Sequence, residues 1–159
     1  MSNGRPPMRM REKKVLRIVA KGFIPFILLF ALYVQFHGDF GPGGGFQAGV
    51  IFAAGLILYG LIYGLDELKR VAPEGVIEAL AAIGVLIYGG TGVLAMLLGG
   101  HFLNYSVLAH DPAHGQHYGI IAIEAGVGIT VTAAMLTVFY MFAGRARTGD
   151  EQPDAGEAS

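Results

Sequence analysis

Apolar residues gather into four blocks of membrane length, and the charged residues stand almost wholly between and beyond them. The blocks run from Val15 to Phe36, Phe46 to Leu65, Val76 to Leu98 and Tyr118 to Phe142. A bilayer core about 30 Å thick needs roughly 20 helical residues at about 1.5 Å each, so each block predicts one spanning helix. The pattern predicts an all-α integral membrane protein with four transmembrane helices. Residues 1–14 read as a basic lead-in and 15–143 as the membrane domain. Residues 144–159 are an acidic, small-residue tail too poor in apolar side chains to fold alone.

Composition agrees: of 159 residues, 53% are hydrophobic and only 14% charged, which excludes an ordinary water-exposed surface for most of the chain. Charge placement adds an orientation. The eleven basic residues are Arg5, Arg9, Arg11, Lys13, Lys14, Arg17 and Lys21 at the start, Lys69 and Arg70 after the second block, and Arg145 and Arg147 at the end. The connections His37 to Gly45 and Gly99 to His117 hold none, so the positive-inside rule predicts that both termini are cytoplasmic. Tyr33, Phe36, Phe46, Phe102 and Tyr118 would then form an outer aromatic belt, and Tyr59, Tyr63, Phe139 and Tyr140 an inner one. The first block lacks a small-x-small cleavage site and reads as a retained helix rather than a secretory signal. With no cysteine, disulfide, thiolate and Cys-based metal chemistry are excluded. A net charge of −1 gives no reason to expect a nucleic-acid partner, and the basic lead-in suits anionic lipid headgroups.

Between the first two blocks lies His37-Gly38-Asp39-Phe40-Gly41-Pro42-Gly43-Gly44-Gly45-Phe46-Gln47-Ala48-Gly49. Glycine tolerates positive φ and close backbone approach while proline fixes φ, so the run predicts a tight, shaped connection. Gly43-x-Gly45-x-x-Ala48, with Asp66 downstream, imitates a dinucleotide fingerprint. That motif needs a short strand and a βαβ unit, and here a membrane-length block lies on each side. No nucleotide or other cofactor is expected.

Small residues recur at four-residue spacing: Gly45, Gly49 and Ala53, then Gly60 and Gly64; Thr91, Ala95 and Gly99; and Ala122, Gly126, Thr130 and Ala134. Such stripes let helix backbones approach in lipid, either within the chain or against partner helices. No internal repeat is present, whereas many self-sufficient carriers are built from inverted repeats, so the chain reads as one component of a larger assembly.

Glu124 is the strongest chemical signal. It stands about two turns inside the fourth block, and carboxylates at membrane depth usually face an interior, a polar partner or a water path. An interfacial Glu reaching headgroup water is the competing reading. Glu78, in the first turns of the third helix, is better explained by the helix dipole than by transport. Lys21 can snorkel to the interface or meet an acid on a partner, with Pro25 one turn on freeing backbone carbonyls. These three are the candidate ion or proton path. The histidines His37, His101, His110, His114 and His117 all fall on the predicted outer side. His110, Asp111, His114 and His117 have loose metal-ligand spacing, but Pro112 and Gly115 are expected to disturb a helix that would align them, so no metal site is expected. No catalytic residues are identifiable, since no nucleophile stands with a base.

At His37-Gly38 and Pro42-Gly43-Gly44-Gly45-Phe46-Gln47-Ala48-Gly49 the chain resembles the MnhB/MrpB family, a small component of the multisubunit Mrp-type cation/proton antiporters. That family carries an HG, a short gap and PGGGF between its first two membrane helices, and the resemblance covers about Lys14 to Ala143. It implies membership in a complex with the A, C, D, E, F and G subunits in the bacterial cytoplasmic (inner) membrane, exchanging Na+ or another monovalent cation for H+. It thus implies a transporter component and not an enzyme. Related modules occur in membrane-bound hydrogenase assemblies, which leaves a respiratory ion-translocating module, or a purely structural role, as alternatives. The resemblance carries over the glycine motif but assigns no ion ligand to Glu124.

Overall fold

The computed structural model describes residues 14–38, 44–108 and 111–149. Of the expectations above, residues 1–13 of the basic lead-in, the tail from residue 150, Pro42, Gly43 and His110 lie outside the described residues. Among the described residues the helices are α1 Lys14–Phe36, α2 Gly45–Tyr63, the short α3 Leu65–Val71, α4 Glu74–Leu97 and α5 Pro112–Gly149, with a 3-10 turn, Tyr105–Val107, in the last connection. Among the described residues α1, α2, α4 and α5 are long and apolar enough to cross a membrane.

Local chemistry explains the ends. Gly44 opens α2 at φ 118°, and Gly64 closes it at φ 105°, both in the left-handed region that favours glycine. The hydropathy pattern alone carries the second block to Leu65 and then into a loop. Instead Gly64 breaks it, and Leu65–Val71 restarts as a separate amphipathic helix with Asp66 and Glu67 in its first turn and Lys69 and Arg70 in its last. That arrangement complements the helix dipole at both ends. Its Leu68 is fully buried beside Leu136, Ile77 and Tyr140.

Pro112 and Gly115 do not disturb the last helix, contrary to expectation. Proline suits a first helical position because its missing N–H has no intrahelical partner there, so Pro112 starts α5, and Gly115 lies inside it. At 38 residues α5 is about 57 Å long and overshoots a bilayer core of about 30 Å at its ends.

The long helices pack in the order α1, α2, α5, α4, with α1 touching α5 only lightly. The seams use glycine in place of interlocking bulk. A Cβ on Gly45 would collide with the Glu124 carbonyl, one on Gly49 would lie 2.7 Å from Gly128 O, and one on Gly84 would lie 2.7 Å from Gly126 O. Each of those acceptors is backbone and has little freedom to move aside. Thr132 Oγ1 shares its proton between Gly128 O at 2.8 Å and Gly49 O at 3.1 Å, tying α5 to α2. Thr130 Oγ1 donates to Gly126 O at 2.8 Å, which satisfies a hydroxyl that has no water to turn to.

Of the small-residue stripes, Gly45, Gly49, Gly60, Gly126 and Thr130 serve contacts inside the chain. Ala122 is half-buried, Ala134 is exposed, and Gly64 acts as a terminator. Gly126 and Thr130 of the α5 stripe face Gly84 of α4, whereas Gly45 and Gly49 of α2 meet α5 on another face, at Glu124 and Gly128. Tyr140, expected in an aromatic belt, is buried instead: its hydroxyl donates to Ala72 O at 2.6 Å and pins the α3–α4 connection to α5.

Candidate functional site

The site grows from the meeting of three chain segments. The C-terminal end of α1 passes through His37 to Gly38, Gly44 and Gly45 begin α2, and the second turn of the apolar part of α5 brings Glu124 between them. A Cβ on Gly38 would lie 2.5 Å from both Glu124 carboxylate oxygens, and one on Gly44 would lie 3.0 Å from Oε1. The carboxyl group is therefore seated on two glycine backbones, in a space that any side chain at either position would claim. Gly44 N also reaches Val34 O at 3.4 Å, which holds the start of α2 against the end of α1.

Electrostatics follow from this placement. The first backbone N–H groups of a helix lack intrahelical acceptors and carry partial positive charge, worth typically about 0.3–1 kcal/mol to a nearby anion. Glu124 stands at that end of α2, half-buried among apolar helix flanks. One turn further along α5, Gln35 of α1 packs against Gly128, where a Cβ would lie 2.5 Å from Gln35 Oε1. His37 is exposed and stacks on Tyr33, with ring centroids 5.0 Å apart.

Beside this seat lies a crevice of about 280 Å³ between α1, α2 and α5, bounded by Ala31, Leu32, Gln35, Ala48, Gly49, Phe52, Ala125, Gly128, Ile129 and Thr132, with Leu80 of α4 at its edge. Its walls are almost wholly apolar. Gln35 and Thr132 are its polar side chains, and an ordered water needs 2–4 polar partners, so the crevice offers water few footholds except toward the Glu124 end.

The other two path candidates stand elsewhere. Glu78 is exposed and faces a second pocket beside Thr137 and Tyr140, which lie 13 residues or more along α5 from Glu124, a distance of about 20 Å. Lys21 is exposed on α1, one turn beyond Arg17, whose carbonyl accepts the Tyr63 hydroxyl at 3.2 Å. Of the motif residues, Gly38, Gly44 and Gly45 surround Glu124, Ala48 and Gly49 face the crevice, and Phe46 and Gln47 point outward and are exposed.

His114 and His117 ride on the first turns of α5, His114 Nδ1 lying 3.6 Å from Asp111 Oδ2. Among the described residues no three metal-ligating side chains converge. Nearby, the last connection folds back over the helix ends. The Tyr105 ring occupies the space where a Gly119 Cβ would stand, and burial, with Tyr88 close by, pushes its hydroxyl above the usual phenol range.

Gly84, Gly128, Gln35 and Thr132 escape a reading of the sequence by stripes and charges. Gly128 and Thr132 follow Glu124 at spacings of four and eight, so the helical repeat counted from the acid itself would find them.

Comparison with known proteins places this geometry in a family. Residues 15–137 match the family described as "Domain related to MnhB subunit of Na+/H+ antiporter". The protein named "Putative antiporter subunit mnhB2" from Staphylococcus aureus strain Newman is 34% identical over 139 residues, covering 85% of this chain and 98% of that protein. The proteins of the same name from strains JH1 and Mu3 match to the same extent. With the match running from α1 well into α5 and including the glycine seat of Glu124, the chain belongs to the family of domains related to the MnhB subunit of Na+/H+ antiporters.

Proposed function

We propose that this chain is a multi-pass component of a multisubunit Na+/H+ antiporter in a bacterial cytoplasmic membrane, with both termini cytoplasmic, and that Glu124 borders the ion path of the complex. The A, C, D, E, F and G subunits are the expected partners. Transport is secondary antiport, driven by the ion gradients and without a chemical step in this chain. The observation that carries the role of Glu124 is its carboxyl group seated on Gly38 and Gly44 at the start of α2. A carboxylate costs about 2.5–3.5 kcal/mol at the centre of a spanning helix and less toward the interface, so one seated between helices at this depth supports a role in the ion path. The lysine and arginine asymmetry supports the orientation, and with it an outward-facing glycine connection.

Lys21 and Glu78 have no direct part in this reading of the path, since each stands apart from Glu124. The test is Glu124→Gln in the whole complex, assayed for Na+-driven proton movement in inverted vesicles, with copurification of the other subunits as the control. We expect exchange to fall about tenfold or more with assembly unchanged, the equivalent of about 1.4 kcal/mol on the transport barrier. Wild-type exchange by a normally assembled Glu124→Gln complex would reject the path role and leave a structural one.

A further inference from the structure

The start of α1 presents a basic face with no acid among the described residues to answer it. Lys14, Arg17 and Lys21 recur at spacings of three and four, so they lie on one side of the helix, and all three are exposed. Arg17 is anchored on α2. Its backbone carbonyl accepts the Tyr63 hydroxyl at 3.2 Å, and its guanidinium carbon lies 5.1 Å from the centroid of the Tyr63 ring, which stacks on Tyr59 at 4.7 Å. Among the described residues none of the three bases makes an ion pair.

The neighbouring elements explain why. α1 has no acidic residue and α2 no charged residue at all. On α3, Glu67 is paired with Arg70 at 3.1 Å and Asp66 is likewise engaged. The acid of α5, Glu124, stands by Gly38, 17 residues or about 25 Å along α1 from Lys21.

Depth and surroundings select the counter-anion. α1 has 23 residues, about 35 Å, against a core of about 30 Å, so its first turns reach headgroup depth. Side chains of a helix lean toward its N-terminus, which takes the Lys21 ammonium back toward the depth of Arg17, one turn nearer the surface. Two cations at one depth suit a single phosphate. Away from the bases the same face continues through Ile18, Pro25 and Leu29, all exposed. The helices of this chain meet through glycine, whereas this stripe presents branched side chains and a proline, a surface for acyl chains and not for another backbone.

We propose that Arg17 and Lys21 hold the phosphate of an anionic phospholipid of the phosphatidylglycerol type, with Lys14 at the rim and the acyl chains along Ile18, Pro25 and Leu29. A choline headgroup brings its own cation to the bases and is disfavoured. The site makes no use of Glu124 and serves in whichever leaflet α1 begins.

Native mass spectrometry of the delipidated complex tests it. The complex is incubated separately with dioleoyl-phosphatidylglycerol and dioleoyl-phosphatidylcholine, and this chain is then ejected and weighed for lipid adducts. The expected result is about fivefold or more adduct with the glycerol lipid, the equivalent of about 1 kcal/mol for each base near a membrane surface. Arg17→Gln and Lys21→Gln together should remove that preference with the other subunits still copurifying. Arg70→Gln, which removes an exposed base already paired with Glu67, should keep it. Equal adducts of the two lipids on the wild-type chain would overturn the assignment whether or not the variants assemble. So would an equal loss of preference in Arg70→Gln, which would spread the effect over all surface charge. Selective loss of one neighbouring subunit from the double variant would give the face to an acid on that subunit and overturn it as well. Displacement of the lipid by glycerol 3-phosphate at matching concentration would do the same, by identifying a site for a soluble phosphate ester.

Discussion

The seam between α2 and α5 and the outer faces of α1 and α4 are built from the same apolar alphabet and do opposite things. At the seam, Gly45, Gly49 and Gly128 bring backbones together, Thr132 bridges them, and Ala53 is wholly buried. On the outer faces, Phe23, Phe26, Leu29 and Phe36 of α1 and Leu86, Val93 and Leu97 of α4 stand exposed. In water the second set would be the core and the first set the weak point. In lipid, burying a phenylalanine against another helix gains little over leaving it among acyl chains, so close packing and interhelical hydrogen bonds decide which faces meet. The smallest residues therefore mark the centre of this fold and the largest its periphery.

Gly45→Val is the harshest test of that contrast. Its Cβ would be forced into the Glu124 carbonyl, and a cost at or above about 3 kcal/mol is expected from overpacking against rigid backbone. The measurement is the midpoint of thermal unfolding of the detergent-solubilised protein; an unchanged midpoint would mean that the seam is not tightly closed. Tyr140→Phe comes next. It keeps the ring in the cluster with Leu68 and Leu136 but leaves Ala72 O without its donor, which should cost about 1–3 kcal/mol. Protease accessibility of the α3–α4 connection should rise with the same variant. Smallest is Gly89→Ala on α4, where a Cβ meets nothing within 4 Å. Alanine is the better helix former by up to about 1 kcal/mol, so the isolated protein should be unchanged or slightly more stable. If the same substitution weakens copurification with the rest of the complex, the exposed face of α4 is a contact with a neighbouring chain and not a lipid-facing periphery.

Legibility in the sequence divides along the same line. The α1 and α2 blocks and the isolation of Glu124 in an apolar run can be read from residue types, because hydropathy reports which side chains avoid water. The restart at Gly64 cannot, since Leu65–Val71 alternates polar and apolar residues as a loop or an interfacial helix equally well. Pro112 misleads for a related reason: proline breaks a helix from inside and starts one from its edge, and only the position of the edge decides which. Depth alone puts Tyr140 in a belt, yet depth does not distinguish a lipid-facing tyrosine from one turned inward onto Ala72 O.

By itself, then, the sequence determined the number of spanning helices, the charge asymmetry of their connections and the glycine motif that carries the family resemblance; these depend on the free energy of each segment in water or lipid, which is local. The tertiary structure decided that α2 and α5 are the inner helices, that Gly38 and Gly44 receive the Glu124 carboxyl group, and that Glu78 shares a pocket with Arg145 far from it. Those are pairings between residues as many as 86 positions apart, and they follow from which backbones can approach within contact distance, a property of two surfaces together that neither segment carries alone.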